Sequence, residues 1–263
     1  MPDDVTNEKA WNDDLLRDPH AVADKRTRVR AMFAAIAPSY DLNNRLHSLW
    51  MDQRWRKKAV TLAKLGVIDV VVDVACGTGD LTLLFQHALL RENHDAPACL
   101  GIDFTFPMLP VAERKANQHW RYRQAGEYVQ FINGDALALP LPDACCDVVS
   151  IAFGIRNVQD VPAALREFYR VLRPGGRVIV LEFSLPTNRV LRAMYNFYFR
   201  QILPRTATLI SGDKTGAYKY LPESVNTFIG REQMMQMMHD VGLGDVKQLP
   251  MTFGVCVCYR GVK

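Results

Sequence analysis

The sequence offers none of the spacings that would place a metal centre. Its six cysteines, Cys76, Cys99, Cys145, Cys146, Cys256 and Cys258, include no C-x-x-C pair and no zinc pattern. Four of them fall in or beside apolar strand-like runs, so buried free thiols in a reducing compartment are expected. His47, His87 and His94 show no metal-like pairing, and no metal is expected. No uninterrupted apolar stretch approaches ~18 residues, which argues against a transmembrane helix. Met1-Pro2-Asp3-Asp4 is acidic and has no apolar core, which argues against a secretory signal. A cytoplasmic location follows as the expectation. Charge of one sign is also scarce. Lys and Arg number 32 against 28 Asp and Glu, and the resulting +4 is too small to argue for nucleic acid as a partner. P-loops, internal repeats, low-complexity tracts and a local serine–histidine–acid arrangement are all missing.

What is present describes a folded domain. With 263 residues, 49% hydrophobic and 23% charged, the chain suits one α/β domain with additions. Residues 1–24 are polar and aperiodic and are expected to form a mobile tail, although Trp11, Leu15 and Leu16 offer docking points. Two helical patterns follow across residues 25–66, one through Val29, Met32, Phe33 and Ile36 up to Pro38-Ser39, the other from Leu42 to Leu65. These are expected to act as cap helices. From 67 onward apolar runs at Val70–Ala75, Ala98–Asp103, Val129–Asn133, Asp147–Phe153 and Arg177–Glu182 read as strands. Helical patterns at Leu81–Leu90, Met108–His119 and Pro162–Leu172 separate them. Such alternation predicts a Rossmann-like, doubly wound parallel sheet with helices on both faces. Residues 185–230 interrupt the rhythm with an aromatic helical insertion. A Met-rich helix over Arg231–Val241 then precedes two closing strands, Asp245–Leu249 and Gly254–Arg260, expected to pair as an antiparallel edge hairpin.

The most informative stretch is Asp73-Val74-Ala75-Cys76-Gly77-Thr78-Gly79-Asp80. It sits between a strand and a helix, where backbone N–H groups approach a ligand. A dinucleotide fingerprint needs a third glycine, and that position holds Thr82. The loop therefore suits an adenosine-type ligand better than a pyrophosphate, with S-adenosylmethionine as the leading cofactor. Gly77 and Gly79 allow positive φ and close approach, while Asp73 is placed to accept from loop amides or the methionine amine. Asp103 ends the next strand, 24 residues beyond Gly79, where a carboxylate meets ribose hydroxyls. Asp135, in Asn133-Gly134-Asp135-Ala136, is placed for the adenine amine, with a neighbouring amide for a ring nitrogen. Each signal has a plainer reading beside it: a bare strand-to-helix turn for the loop, an N-cap for Asp103, a turn residue for Asp135.

Phe153-Gly154-Ile155-Arg156-Asn157 occupies the fourth strand tip, at the reactive end of such a cofactor. The plainer account makes Arg156 a surface ion-pair partner and Asn157 a helix cap. Glu182 ends the fifth strand, where a partly buried carboxylate serves as a base or fixes substrate hydroxyls. The segment from Arg45 to Lys58 mixes tryptophans with basic residues, and reads equally as a membrane-surface helix or a cap helix with its tryptophans inward.

These motifs, together with Tyr169-Arg170-Val171-Leu172-Arg173-Pro174-Gly175-Gly176, Leu181-Glu182-Phe183-Ser184 and Ala37-Pro38-Ser39-Tyr40-Asp41-Leu42-Asn43-Asn44, resemble the ubiquinone/menaquinone-biosynthesis C-methyltransferases. The resemblance runs from about Val29 to Lys263. It implies a class I S-adenosylmethionine-dependent fold of seven strands, mostly parallel, with an antiparallel last strand. It implies methyl transfer to a ring carbon of a prenylated quinol, with cofactor contacts at Thr78, Asp103, Asp135 and Ala136. Two departures stand out. Ala152 replaces the family's usual serine or glycine, leaving only its backbone for the cofactor, and Cys76-Gly77 stands where Gly-Gly is common. Thr252-Phe253-Gly254-Val255 leans toward the menaquinone branch. Arg156 and Asn157 are the expected catalytic pair, with Tyr40 and Glu182 supporting and Asp41 and Tyr218 as further candidates. Peripheral membrane contact follows from the prenyl tail, and a homodimer is left open. The competing readings are a small-molecule O- or N-methyltransferase, a nicotinamide dehydrogenase and a non-catalytic cofactor-binding module.

Overall fold

The structure, a computed structural model, describes residues 10–118 and 128–263. Seven strands form one sheet: β1 (Val71–Val74), β2 (Leu100–Asp103), β3 (Gln130–Asn133), β4 (Cys146–Ala152), β5 (Leu172–Phe183), β6 (Gly244–Met251) and β7 (Cys256–Val262). Their order is β3-β2-β1-β4-β5-β7-β6. The first five run parallel, and β7 lies antiparallel between β5 and β6. The Rossmann-like sheet and the closing antiparallel pair are thus as expected, with β6 as the edge.

Helices cover both faces because the strands alternate apolar side chains to both sides. Val72, Val74, Val149 and Ile151 face Leu165 and Phe168 of α6 (Val161–Val171) and Met234 and Met238 of α10 (Arg231–Asp240). Val71, Val148 and Ile179 face Trp55, Ala59 and Ala63 of α3 (Met51–Ala63) and Leu81, Phe85 and Leu89 of α4 (Asp80–Glu92). The Asp160 carboxylate accepts from Ala163 N–H at 2.9 Å, and Pro162 occupies the first turn, so α6 starts where expected. The helix predicted to end at His119 is α5 (Leu109–Gln118), preceded by a 3-10 turn at Phe106–Met108; His119 itself lies outside the described residues. The Pro-Gly-Gly turn after α6 is absorbed into β5 as a bulge around Gly175, whose φ is 79°.

The second helical pattern is not one helix. It divides into α2 (Tyr40–His47) and α3, because Leu49 and Trp50 adopt left-handed backbone at φ 51° and 60°. Trp55 turns inward and donates to Thr252 Oγ1 at 2.9 Å, whereas Trp50 stays exposed. The tryptophans of this segment therefore divide between interior and surface.

From Ala10 onward the N-terminal segment is docked. Trp11 is buried and stacks on Tyr220 with centroids 4.4 Å apart, and Leu16 is buried beside it. These residues join α1 (Lys25–Ile36), α7 (Arg189–Phe197), α8 (Leu203–Ser211) and α9 (Ala217–Asn226) in a separate small core. Its members include Met32, Ile36, Tyr195, Phe199 and Tyr218. All six cysteines are free, and only Cys145 is not fully buried. Among the described residues no helix is long and apolar enough to cross a membrane, and no cluster is suited to a metal ion.

Candidate active site

The glycine loop bends away from β1 at once. Ala75 and Gly77 have φ near 51° and 55°, and Gly79 caps α4 at φ 80°. A Cβ on Gly77 would meet nothing within 4 Å and would project into open space, so the missing side chain keeps the cleft clear. A Cβ on Gly79 would stand 2.9 Å from Phe131, so there glycine permits helix and strand to pack. Thr82, in place of the third glycine, has its own role. Its hydroxyl donates to Asp73 Oδ2 at 2.6 Å while Ser150 donates to Oδ1 at 2.6 Å. Asp73 is therefore a buried tie between α4, β1 and β4, with both oxygens occupied by hydroxyls rather than by the loop amides expected. Burial raises its pKa to about 6, against the two hydrogen bonds.

A cleft opens beyond the carboxyl ends of β1 to β4, with about 810 Å³ of space including its solvent-open mouth. Of the expected cofactor residues, Gly77, Asp103, Asp135 and Ala136 line it; Asp73, Thr78, Gly79 and Ala152 do not. Asp103 accepts from Gly77 N–H and Thr105 N–H, both at 2.7 Å, and burial raises its pKa. It thus shapes the loop while presenting a carboxylate edge to the cleft. Asp135 accepts from Leu137 N–H at 3.0 Å and pairs with Arg26 at 2.7 Å. An adenine amine would share a carboxylate already engaged. Arg26, which also lies 4.4 Å from the Phe104 ring centroid, went unnoticed in the sequence because it sits on a helix far from the strand tips.

Thr78 faces away from the cleft. Its hydroxyl donates to Asp41 Oδ1 at 2.7 Å and accepts from Lys115 Nζ at 2.9 Å. Lys115 also reaches Asp80 at 2.8 Å, and Arg45 joins Asp80 and Asp52. Burial alone would raise the Asp80 pKa, but Lys115, Arg56 and Arg45 outweigh it and hold that carboxyl well below its ordinary range. This network clamps α2 and α3 to the glycine loop.

A second cavity of about 610 Å³ adjoins the cleft and shares Phe33 and Tyr40 with it. Its walls combine apolar side chains (Met32, Ile36, Phe153, Phe183, Leu221) with the tyrosines Tyr40, Tyr218 and Tyr220 and the polar Arg156, Arg56, Asp52, Asn44 and Ser48. Arg156 is buried, not at the surface. Its Nη1 donates to Glu182 Oε1 at 2.6 Å and to Phe153 O at 2.7 Å, leaving Nε without a partner. Burial works against its charge, but Glu182 prevails and the pKa is raised. Glu182 also accepts from Arg156 N–H at 3.3 Å and Phe183 N–H at 2.8 Å, and it lines neither cavity. Its carboxylate is committed to holding Arg156, contrary to the base role expected from its strand-end position. Asn157 lines the cleft and accepts from Tyr220 at 2.9 Å. Tyr40 stands between the two cavities, its phenol pKa raised by burial against the pull of Arg56 and Arg156. Tyr218 also lines the second cavity, and burial raises its pKa against the opposing effect of Ser211 and Ser39.

Lys25 completes the arrangement. It is only 2% exposed and donates to the carbonyls of Arg156 at 2.9 Å and Val158 at 2.8 Å. Burial lowers its pKa to about 8, with Arg156 adding to the shift. Nothing in local sequence marks Lys25 or Tyr220, because Arg156, Val158 and Asn157, which they bond, lie far away along the chain.

The ubiE/COQ5 methyltransferase family model matches residues 21–263. The chain belongs to this family. It is 46% identical to the demethylmenaquinone methyltransferase of Thermus thermophilus, over 88% of this chain and 99% of that protein. It is 42% identical to the enzyme of the same name from Deinococcus radiodurans, over 91% and 94%. Identity to the ubiquinone/menaquinone biosynthesis C-methyltransferase UbiE of Geobacter sulfurreducens is 40%, over 93% and 91%. Among solved structures, a possible histamine N-methyltransferase from Thermotoga maritima shares the fold, with TM-score 0.55 at 19% identity, over 89% and 99% of the two chains. The protein is thus a methyltransferase, and family and fold together imply use of S-adenosylmethionine. The cleft fits such a ligand. It has a clear floor at Gly77, a carboxylate at Asp103 and apolar walls from Val74, Met108 and Leu137.

Proposed function

We propose that this protein methylates a ring carbon of a prenylated quinol, converting demethylmenaquinol to menaquinol. The observation that carries the reading is the buried Arg156 guanidinium in an apolar chamber opening beside the cofactor cleft. Bound S-adenosylmethionine supplies an electrophilic methyl group. Asp103, Ala136, Asp135 and Arg26 would hold its adenosine end, with Asn157 toward the acceptor.

The flat apolar walls of the second chamber receive the quinol ring. Loss of a hydroxyl proton to solvent makes the quinol a phenolate, nucleophilic at the ortho carbon; that carbon would take the methyl as its bond to the sulfonium sulfur breaks to leave a neutral thioether, and would then lose its hydrogen to solvent as a proton. The Arg156 guanidinium holds the developing oxyanion, directly or through one water, in a site where low dielectric strengthens the attraction. Glu182 positions Arg156 and does not touch the acceptor. Tyr40 orients the ring between the cavities, so the arrangement contributes mainly alignment and charge placement. The cap helices of residues 25–66 and the insertion at 185–230 form the acceptor side of a methyltransferase domain spanning 67–263.

Two relatives named demethylmenaquinone methyltransferase, at 46% and 42% identity, favour the naphthoquinol over a benzoquinol. Incubation with labelled S-adenosylmethionine and reduced demethylmenaquinone, followed by mass analysis, tests the proposal. A label on the ring carbon is the expected result; a label on oxygen, or none, would overturn it. The prenyl tail brings the reaction to a membrane surface.

A further inference from the structure

The insertion separates its aromatic residues by side. Tyr195 and Phe199 are buried and stack at 4.1 Å, so they belong to the small core rather than to an open channel. The opposite side of the same element is exposed and apolar. Helical geometry runs unbroken from Arg189 to Ser211, through a π turn at Tyr198–Ile202. Val190, Met194 and Phe197 recur at i, i+4 and i+7, and Ile202 stands one π turn (i to i+5) beyond Phe197. Leu209 and Ile210 extend the exposed stripe, Leu209 at 85% exposure.

Helix α2 lies alongside. His47 Nε2 is 2.8 Å from Thr206 Oγ1, and the Tyr198 hydroxyl donates to His47 O at 3.2 Å. Ile202, Leu209 and Ile210 flank Thr206 at helical spacing, so the stripe borders α2. This short helix has two faces. Tyr40, Asn44 and Ser48, four residues apart, line the acceptor chamber. Leu42 and Leu46, half a turn away, face outward and continue into exposed Leu49 and Trp50, with Leu49 at 79% exposure. One thin helix separates the chamber from the apolar surface.

Charge distinguishes the occupant. Residues 189–211 carry Arg189, Arg192, Arg200 and Arg205 and no Asp or Glu. Arg200 pairs with Glu223 at 2.8 Å, whereas Arg192 and Arg205 donate to the carbonyls of Pro186 and Gln201. An exposed apolar stripe on a helix with arginines and no acids complements an anionic lipid surface, where apolar side chains enter the headgroup boundary and guanidiniums meet phosphates.

We infer that the helix from Arg189 to Ser211, together with the outer face of α2, is a docking surface for an anionic phospholipid bilayer. It sets the acceptor chamber against the membrane, and the prenyl tail passes beside α2 from the bilayer. The tail route rests on the quinol reading; vesicle binding does not.

The test uses the full chain without quinol, floated with vesicles of phosphatidylcholine alone or mixed with phosphatidylglycerol. The wild type should float with the anionic vesicles, and salt should weaken binding. Leu209→Asp and Phe197→Asp, both at exposed positions, should each weaken vesicle affinity about tenfold or more while leaving the melting temperature unchanged. Turnover of a long-tailed quinol in vesicles should fall in parallel, and turnover of a short-tailed soluble quinol should stay within about twofold. Flotation by neither vesicle, or unchanged flotation of both variants, would overturn the inference. So would a concentration-dependent dimer abolished by the variants without vesicle binding, which would make the face a self-interface. Failure to methylate the short-tailed quinol, with vesicle binding intact, would instead remove the quinol reading and the tail route while leaving the docking surface standing.

Discussion

The cofactor cleft and the acceptor chamber share Phe33 and Tyr40, yet they are built by different means. The cleft is made from consecutive strand ends, and its polar groups are tied mainly to nearby backbone, as when Asp103 accepts from Gly77 and Thr105. The chamber is assembled from α1, α2, α3, the fourth and fifth strand tips and α9, and its central charge is balanced by a distant carboxylate. A sheet edge supplies amides and carboxylates in a common, reusable geometry. Selecting an acceptor requires walls that the sheet does not provide. On the proposed reading, the difference separates a site for the shared methyl donor from a site for one acceptor.

Substitution at Arg156 tests the comparison most severely. Arg156→Ala should lower turnover about 10²–10³-fold while cofactor affinity changes little. Leaving Glu182 buried without its partner should also cost about 3–5 kcal/mol of stability. Arg156→Met with Glu182→Gln should recover most of that stability without recovering turnover, a separation visible by pairing thermal melts with kinetics. Full turnover in Arg156→Ala would remove the distinction between the two cavities.

The cleft side makes a pH prediction through Asp73. Its folded pKa near 6 lies above the ordinary 3.8, so the folded state binds the proton more tightly than the unfolded state. That contribution is full below 3.8 and disappears as pH rises through 6. Relative to Asp73→Asn, the wild type should lose about 3 kcal/mol of stability across this window, read from denaturant midpoints at several pH values. Asp103→Asn should have a smaller effect, weakening cofactor binding by about ten- to a hundredfold in calorimetry. The acceptor KM should be unchanged; if it moved equally, the cavities would be one functional unit. Smallest of all, Tyr220→Phe removes the 2.9 Å hydrogen bond to Asn157 and should cost about 1 kcal/mol, seen as a roughly fivefold loss in kcat/KM.

The sheet was legible because its continuous apolar runs and glycine turns are local signals. Asp103 and Asp135 were found for the same reason, since strand ends predict where side chains emerge. The break at Leu49 and Trp50 was not, because neither residue is a customary left-handed one. Glu182 was located but given the wrong work, as position along a strand says nothing of a partner such as Arg156. Residues 10–24 looked unstructured because Trp11 finds its partner, Tyr220, only after more than two hundred intervening residues.

The replaced third glycine shows the division most clearly. Sequence alone determined the strand–turn–helix and the family, because these depend on backbone conformation and on residue spacing. It also showed that Thr82 departs from a dinucleotide loop. Only the tertiary structure decided what Thr82 does, which is to bind Asp73 alongside Ser150 in a dry interior. It likewise buried Arg156 against Glu182 and spread an exposed apolar, basic face beside α2. Those outcomes depend on which distant groups share a low-dielectric space, and no local pattern encodes that.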